Sequence, residues 1–259
     1  MISTPSPDQS ATLAELLAAS GRKKASAPIR RDFVQRGTQT KPVPGPLQLM
    51  VQRHDETALD LYLLFMALAS GEPWDVTRDA RIWGRAIGHG QDADGGASIV
   101  SKAWRRLDET YHLVQRERSG RLSRVTALHE DGQGGEYTYP AEGYLRLSFE
   151  YWLADDAWHH TLSLPGKASL LIALSLKPPF KLPTERGPAW YGLSADTLDR
   201  GLRELRDRDV LSRTYREVTN WLSPTGKTTE YTFRLKRPFA RPSAKPDTTA
   251  RPHLSVVGE

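Results

Sequence analysis

The chain has 259 residues, enough for two domains of ordinary size, and its 38% of hydrophobic residues with seven Trp is adequate for small cores. It contains no cysteine, which excludes disulfide frameworks and thiolate metal sites and is typical of a reducing cytoplasm. The longest apolar run, residues 61–69, is too short to span a bilayer, and residues 1–27 lack the apolar core of a secretory signal. We therefore expect a cytoplasmic protein that does not bind a membrane.

The formal charge of +5 is unevenly distributed. Residues 21–41 hold seven Lys/Arg against one Asp, and residues 236–259 hold five against two acids. Residues 42–235 hold 24 against 26, so the part expected to fold is slightly acidic. Within it, positive charge is concentrated at 97–128, with seven Lys/Arg against three acids, and at 200–216, with six against three. This pattern favours a local nucleic-acid footprint over a bulk polyanion binder.

Residues 1–46 are predicted to be a disordered basic arm with a short helix. In that helix, residues 10–20, three leucines share one side, which would dock on the body or on a second copy of the chain to give a homodimer. Residues 21–46 have few large apolar side chains, which is the composition of an unfolded linker. The arm residues expected to lie along phosphates or in a minor groove are Arg22, Lys23, Lys24, Arg30 and Arg31. The alternative is a solvated run of charges.

Residues 47–140 are predicted to form the first domain. Residues 55–70 are apolar on most sides, which indicates a buried helix, and residues 78–87 follow as a second helix. After a glycine-rich connection at 88–96, residues 97–111 are predicted to be a recognition helix. The side chains expected on its inner face are Ile99, Val100, Ala103 and Leu107.

A hairpin is predicted next, with residues 112–117 paired to residues 122–129. The candidate DNA contacts of the first domain are Ser98, Ser101, Lys102, Arg105 and Arg106 on the helix, and Arg116, Arg118, Arg121 and Arg124 on the hairpin. The acidic, Gly-rich residues 130–136 lack the lysine and the helix setting of a phosphate loop and match no EF-hand loop. We interpret them as a surface turn.

The second domain is predicted at residues 141–238, beginning with a strand at 143–150 and a helix at 151–160. His159 and His160 are adjacent on that helix and therefore point apart, which is a poor arrangement for a shared metal ion. Residues 166–176 are predicted to be the buried first helix of the domain, and residues 183–191 its second helix.

The stretch from 192 to 235 has the clearest pattern. Ser194 is a helix N-cap, and Leu198, Leu202 and Leu205 follow on one face. Strands at 212–217 and 228–235 are predicted across a polar tip that contains proline and glycine. The candidate DNA contacts here are Thr197, Arg200, Arg203 and Arg206 on the helix, and Arg213, Arg216 and Lys227 on the hairpin.

This pattern occurs twice. With a shift of 98 residues, Arg203, Leu205, Leu211 and Arg216 fall on Arg105, Leu107, Leu113 and Arg118. A period of this length is too long for a solenoid, so we predict two domains of one type.

The run W-Y-G-L-S-A-D-T-L-D-R-G-L-R-E-L-R-D-R-D-V-L, residues 190–211, resembles the winged-helix signature of bacterial DNA-binding regulators. In that class a Gly ends the second helix, a Ser or Thr caps the next one, and a Leu-rich run leads into the wing. A tandem pair within 259 residues also resembles the plasmid replication initiators that have two winged helices. The resemblance covers residues 55–128 and 164–235. It implies a mainly α fold with small β-hairpin wings (α+β) and two winged-helix domains in tandem.

This resemblance implies that each recognition helix offers Arg or Lys to guanine edges in the major groove, while the wings meet phosphates. We therefore expect sequence-specific binding of double-stranded DNA by a nucleoid-associated bacterial transcriptional regulator. One alternative is a plasmid or phage replication initiator at origin repeats, and another is a winged-helix protein-interaction scaffold. We expect no enzyme activity and no cofactor, because the sequence has no cysteine nucleophile, clustered metal ligands or nucleotide-binding motif.

Two further expectations concern the second recognition helix and the end of the chain. The basic face of the recognition helix of the second domain could instead be a solvated surface with ion pairs such as Arg203 with Asp207 or Asp199 with Arg203. If it binds DNA, its better cap predicts that it carries most of the affinity. Residues 239–259 are expected to be a disordered tail.

Overall fold

In the computed structural model, residues 5–38, 40–90, 93–119 and 122–240 are described. The chain is mixed α+β with small antiparallel sheets. The helices are α1 (Pro7–Ala19), α2 (Leu47–Gln52), α3 (Glu56–Leu68), α4 (Ala80–Ala86), α5 (Ala93–Glu109), α6 (Glu150–Leu153), α7 (Trp158–Thr161), α8 (Leu164–Ser175), α9 (Gly187–Tyr191) and α10 (Ala195–Asp207). The strands are β1 (Ser26–Arg30), β2 (Gln35–Gly37), β3 (Pro42–Pro44), β4 (Asp75–Arg78), β5 (Val114–Ser119), β6 (Leu122–Ala127), β7 (Tyr144–Ser148), β8 (Leu211–Thr219) and β9 (Lys227–Leu235).

The N-terminal segment is folded, so the prediction of a disordered arm is wrong for residues 5–38 and 40–46. The short helix is confirmed as α1, and its leucines are buried against the body. Strand β1 pairs antiparallel with β7, and this pairing buries Ala27 and Ile29 completely. The composition of the segment does not reveal this strand, because the strand is short and its partner lies more than a hundred residues further along the chain.

A first unit runs from α3 to β6. It has the order helix, strand, helix, helix, strand, strand, and its sheet has the order β4-β6-β5. Helix α3 is buried on nearly all sides. Trp104 of α5 packs edge-on against Trp83 of α4, with ring centroids 5.3 Å apart, and against Phe65 of α3 at 5.6 Å. These aromatic contacts hold the three helices together.

A second unit runs from α8 to β9 in the same order. Its first strand position is reduced to a bridge between Phe180 and Phe233, after which α9, α10 and the β8–β9 hairpin follow. Helices α5 and α10 end at Glu109 and Asp207, positions related by the same shift of 98. In α10, a methyl group on Gly201 would lie 2.1 Å from Ser169 Oγ, so the close packing of α10 on α8 requires glycine there.

The two units share one continuous apolar core. Lys167 of α8 is almost fully buried and forms ion pairs with Asp60 at 2.7 Å and with Glu56 at 2.8 Å, both on α3. Burial raises the pKa of Asp60 to about 6, although the charge of Lys167 opposes this. These ion pairs tie the second unit to the first. Gln35 Nε2 of β2, which precedes the first unit, also donates to Trp190 O of α9 at 3.0 Å.

The stretch between the units departs from the sequence predictions. The helix predicted at 151–160 is two short helices, α6 and α7, because Ala157 adopts a left-handed conformation (φ 43°) between them. The turn at 130–136 is not wholly on the surface. Glu130 is fully buried, accepts from the Arg30 backbone N–H at 3.0 Å, and pairs with the Arg30 guanidinium at 2.5 Å.

At the C-terminal end, Phe239 is buried edge-on against Trp158, with centroids 5.9 Å apart. Residues 241–259 of the predicted tail lie outside the described residues. Among the helices of the described part, none is both long and apolar enough to cross a membrane.

Candidate nucleic-acid interface

Helix α5 presents a basic face whose cations have no acidic partner in the part of the chain that the structure describes. Its inner stripe, which includes Val100, Trp104 and Leu107, is buried in the core. On the opposite side, Ser98, Lys102 and Arg105 are exposed. Within the described residues, neither Lys102 nor Arg105 contacts a carboxylate, so both cations are available to a ligand.

Ile99 is a correction to the predicted inner face of α5, because its side chain is 38% exposed. It lies about 90° from the centre of the buried stripe, since each residue of a helix turns the chain by about 100°. An exposed isoleucine beside Lys102 adds an apolar contact of the kind that a thymine methyl group accepts.

Arg106 does not belong to the exposed face, contrary to the prediction. Its guanidinium makes a two-bond ion pair with Asp55, Nε to Oδ2 at 2.5 Å and Nη2 to Oδ1 at 2.7 Å. Tyr111 also donates to Asp55 Oδ2 at 2.9 Å, and Asp55 caps α3 through Ala58 N. Burial alone would raise the pKa of Asp55, but the hydrogen bonds from Arg106 and Tyr111 hold it below its usual value. Arg106 therefore locks α5 onto α3.

The arginines of the first hairpin also make intramolecular contacts. Arg116 donates to Ser123 Oγ at 2.9 Å and to Ser101 at 3.3 Å, so it ties β5 and β6 to α5. Arg124 forms an ion pair with Asp75 of β4. The predicted roles of Arg116, Arg124 and Ser101 as free DNA contacts therefore lack support, because each is engaged within the fold. Arg121 and the side chain of Arg118 lie outside the described residues.

Helix α10 has its predicted cap and inner stripe, but its basic face is neutralised. Ser194 caps Thr197 N at 3.1 Å and its hydroxyl lies 2.8 Å from Thr197 Oγ1. Arg200 pairs with Asp196 at 3.0 Å, and Arg203 pairs with Asp199 at 2.5 Å. Of the two ion pairs considered for Arg203, the structure contains the one with Asp199.

Arg206 differs from the other arginines of α10. Its Nε is buried without a hydrogen-bond partner among the described residues, and the side chain lines a cavity of 490 Å³ between α10 and β9. The prediction that Arg206 lies on the exposed face with Arg200 and Arg203 is therefore wrong. It is half-buried because the inner stripe of α10 is wider than the leucine spacing indicates.

The second hairpin carries paired cations and an apolar tip. Arg213 stacks on Tyr231, 4.5 Å from the ring centroid, Arg216 pairs with Glu230 at 2.9 Å, and Lys227 pairs with Glu217 at 3.1 Å. All three lie on the hairpin as predicted. At its tip, Trp221 is 86% exposed and Leu222 97%. This pair is absent from the residues predicted from the sequence, although two apolar residues inside a turn-forming run are a usable signal.

The basic residues of the N-terminal segment have separate surroundings. Arg22 donates to three main-chain carbonyls at the end of α3, and Arg30 is paired with Glu130. Lys23, Lys24 and Arg31 are exposed. Of the five residues assigned to a flexible arm, two are therefore fixed within the fold, because their guanidinium groups satisfy buried acceptors.

Comparison of the chain with protein-family models, with curated proteins and with solved structures gives no match. The candidate interface therefore depends on geometry alone. It consists of two equivalent helices, each next to a hairpin. Within the described residues, Lys102 and Arg105 of α5 have no carboxylate partner, Arg200 and Arg203 of α10 are ion-paired, and the second hairpin has an exposed apolar tip.

Proposed function

We propose that this protein binds double-stranded DNA sequence-specifically through two winged-helix units, with α5 and α10 as the recognition helices. The observation that carries the proposal is the repeated element order, in which the third helix of each unit carries exposed Lys or Arg side chains and leads directly into a hairpin. Helix–strand–helix–helix–hairpin, with the first strand paired to the last, is the connectivity of a winged helix. Such a helix places its outer face in the major groove.

The surroundings of α5 support a role in reading base edges. Arg105 is exposed and has no acidic partner among the described residues, so its guanidinium can bind guanine O6 and N7 in a bidentate manner. Lys102 lies one turn away and can meet a phosphate or a second base edge. Buried ion pairs of Lys167 on α8 with Asp60 and Glu56 on α3 link the two units, and we propose that their recognition helices bind one DNA molecule together.

For the biological role we propose a bacterial transcriptional regulator, with a replication initiator that binds origin repeats as the alternative. The same protein–DNA contacts serve both roles, so the position of the site distinguishes them. Selection of bound fragments from the native genome should recover promoter regions for a regulator and tandem repeats for an initiator.

The test of DNA binding is a titration of wild type, Lys102→Ala and Arg105→Ala on the selected site and on a scrambled duplex, at several salt concentrations. We expect Arg105→Ala to cost about 1–3 kcal/mol on the selected site and little on the scrambled one. Lys102→Ala should reduce the salt slope by about one. The control is Lys177→Ala, which removes an exposed charge from the end of α8. Equal losses for Arg105→Ala and Lys177→Ala on both duplexes would contradict the proposal.

A protein-interaction scaffold is the second candidate, and one observation favours it. The face of α10 is an ion-paired surface of nearly zero net charge, and the adjoining hairpin exposes Trp221 and Leu222. Apolar side chains beside neutral polar ones are typical of a protein contact. If wild type binds no duplex even at low salt, where phosphate contacts are strongest, the scaffold becomes the better interpretation.

A further inference from the structure

A basic pocket is lined by residues of the N-terminal segment, β7 and the loops next to them, and none of its described lining residues is on α5 or α10. It has a volume of 260 Å³. Four cationic side chains line it, Arg22, Lys23, Lys24 and Arg146, and two tyrosines, Tyr139 and Tyr144. No Asp or Glu is among the described residues of its wall. A second cavity of 540 Å³ shares Lys24, Tyr144 and Arg146 with it and extends to Leu174 and Phe239. The two cavities therefore adjoin at these shared residues.

Arg22 is the fixed element of the basic pocket. Its Nε donates to Ala67 O at 2.7 Å, and its Nη2 donates to Met66 O at 2.7 Å and Ala69 O at 2.6 Å. These are the terminal carbonyls of α3, which no helical N–H satisfies. Burial lowers the pKa of Arg22. Among the described residues no carboxylate contacts its guanidinium, and Nη1 has no acceptor, so a partly buried positive charge is left without a counterion.

The other cations are positioned by the backbone. Lys23 and Lys24 lie in a turn closed by the bond from Ala25 N to Arg22 O at 3.1 Å. The pairing of β1 with β7 places Arg146 opposite Pro28, on the next strand. The Arg146 guanidinium stacks on Tyr144 at 5.3 Å from the ring centroid and donates to the Tyr144 hydroxyl at 2.7 Å. Both contacts orient the Arg146 side chain without neutralising its charge.

The aromatic side of the pocket is also preformed. Tyr139 packs on Trp74, with ring centroids 5.9 Å apart and an interplanar angle of 30°, and remains 50% exposed. One face of its ring is thus supported, while half of the side chain is open to a ligand. Cations that follow a phosphate backbone and aromatic rings on which bases stack are the combination that binds nucleotides without reading a duplex.

We propose that this pocket binds the phosphate groups of a nucleotide, either free or within a single strand, with the base against Tyr139 or Tyr144. Arg22 Nη1, Lys23 and Lys24 supply charge-assisted hydrogen bonds to phosphate oxygens. The site is separate from the proposed duplex interface. None of the described residues that line the two cavities belongs to α5, to α10 or to the hairpins that follow them.

The experiment uses the full chain and isothermal titration with four probes: inorganic pyrophosphate, ATP, and a 12-nucleotide single strand with and without a 5′-phosphate. The pocket variant is Lys23→Gln with Lys24→Gln and Arg146→Gln. It keeps Arg22, whose loss would expose α3 carbonyls. The charge-matched control is Arg53→Gln with Lys177→Gln and Lys41→Gln, three exposed residues outside the pocket.

We expect wild type and control to bind ATP or the strand, and the pocket variant to bind at least about tenfold more weakly, since it has lost three charged donors. Tyr139→Ala should weaken the binding of ATP and leave the affinity for pyrophosphate unchanged. If ATP binds more tightly than either strand, the ligand is a free nucleotide. If both strands bind more tightly than ATP, the ligand is a nucleic acid. The proposal is overturned if no probe binds, if the pocket variant and the control lose affinity equally, or if neither ATP nor a strand binds more tightly than pyrophosphate.

A cross-check keeps this inference distinct from the DNA-binding proposal. The pocket variant should retain duplex binding, while Lys102→Ala with Arg105→Ala should retain nucleotide binding. If the α5 variant binds duplex as wild type does while the pocket variant loses ATP, only the proposed duplex interface fails. Loss of both ligands in the pocket variant, with an unchanged melting temperature, would show one shared site and overturn the separate pocket.

Discussion

His159 is a single residue whose surroundings make stability depend on pH. It is 6% exposed, and its Nε2 lies 3.4 Å from Gln9 Nε2, which also donates to Ala86 O. Burial, reinforced by the positive charge of Lys167, lowers the pKa of His159 to about 4. The ring is therefore neutral in the folded state and joins α7 to α1. In the unfolded chain its pKa is near 6.5, so between the two values the unfolded state binds more protons.

The sign of the effect follows from this difference. The stability contributed by a neutral His159 is fully present above about pH 6.5 and is lost as the pH falls towards 4. We expect the step from pH 7.5 to pH 5 to remove about 2 kcal/mol of unfolding free energy on account of His159. Urea unfolding of wild type and His159→Gln at both pH values measures this, because the variant should lack that part of the loss. His54→Gln, an exposed control, should behave as wild type, and an identical pH response in His159→Gln would contradict the assignment.

At the scale of elements, the two candidate recognition helices differ in charge compensation. The N-cap of α10 predicts that this helix is the stronger DNA binder, but its Arg200 and Arg203 form ion pairs with Asp196 and Asp199. Exposed ion pairs of this kind are each worth only about 0.3–0.5 kcal/mol, so they do not hold the arginines strongly. The larger effect is that two carboxylates stay on the face that would meet phosphates. We therefore propose the reverse ranking, with α5 as the stronger reader.

Removing the two carboxylates tests this ranking. Asp196→Asn with Asp199→Asn should strengthen duplex binding several-fold and steepen its salt dependence, because Arg200 and Arg203 are released towards phosphates. Arg200→Ala with Arg203→Ala should cost less affinity than Lys102→Ala with Arg105→Ala. The measurement is the same salt-dependent titration, with Asp155→Asn and Asp156→Asn as the control pair between α6 and α7. A larger loss from the α10 arginines would restore the original order.

The tip of the β8–β9 hairpin is a second element with a testable role. Hydrogen bonds from Asn220 N to Gly226 O and from Ser223 N to Asn220 O, both 2.9 Å, hold the turn that exposes Trp221 and Leu222. A wing that reaches the minor groove would bury these side chains against sugars. We expect Trp221→Ala to weaken binding to every duplex by about 1 kcal/mol, less than full burial of a large side chain is worth.

Fluorescence of the tip provides the direct readout. The emission of wild type should shift to the blue when duplex is added, because an exposed indole becomes covered. Trp221→Phe should lose that shift and keep most of its affinity. Leu153→Ala removes an exposed apolar residue of α6 and is the matched control. A blue shift that persists in Trp221→Phe would show that the tip stays in water.

An element can be predicted from the sequence when the interactions that form it lie close together along the chain. Helices α3 and α10 and the β8–β9 hairpin follow from nearby periodicity, caps and turn residues, and each lies within a few residues of its predicted position. Strand β1 does not, because its burial depends on a distant partner, β7. The pairing of Arg106 with Asp55 was equally inaccessible, because it joins residues 51 positions apart that only packing brings together.

At the scale of the whole molecule, the Lys167 cluster is the contact that makes two units one body. Lys167 is 2% exposed, whereas Asp60 and Glu56, its partners on α3, are 20% and 44% exposed. A buried ammonium group is tolerable only because two carboxylates and two hydrogen bonds to Asp60 compensate it. The pairing thus acts on the relative orientation of α3 and α8, and through them of α5 and α10.

Removing the ammonium group alone tests this role. Lys167→Met should cost about 3–5 kcal/mol of unfolding free energy, because Asp60 is left in low-dielectric surroundings without its counterion. Lys167→Met with Asp60→Leu should recover much of this loss, since the remaining partner, Glu56, is 44% exposed to water, and a double-mutant cycle isolates the pair. Lys177→Met, at an exposed lysine just beyond α8, should cost less than about 0.5 kcal/mol of unfolding free energy.

In the variant with both Lys167→Met and Asp60→Leu, the apolar core is intact but the ion pair between the two units is gone. Binding sites in which the two half-sites are moved apart by one or two base pairs should therefore be discriminated less than by wild type. Unchanged discrimination with full stability would show that the apolar core alone sets the orientation of the two units.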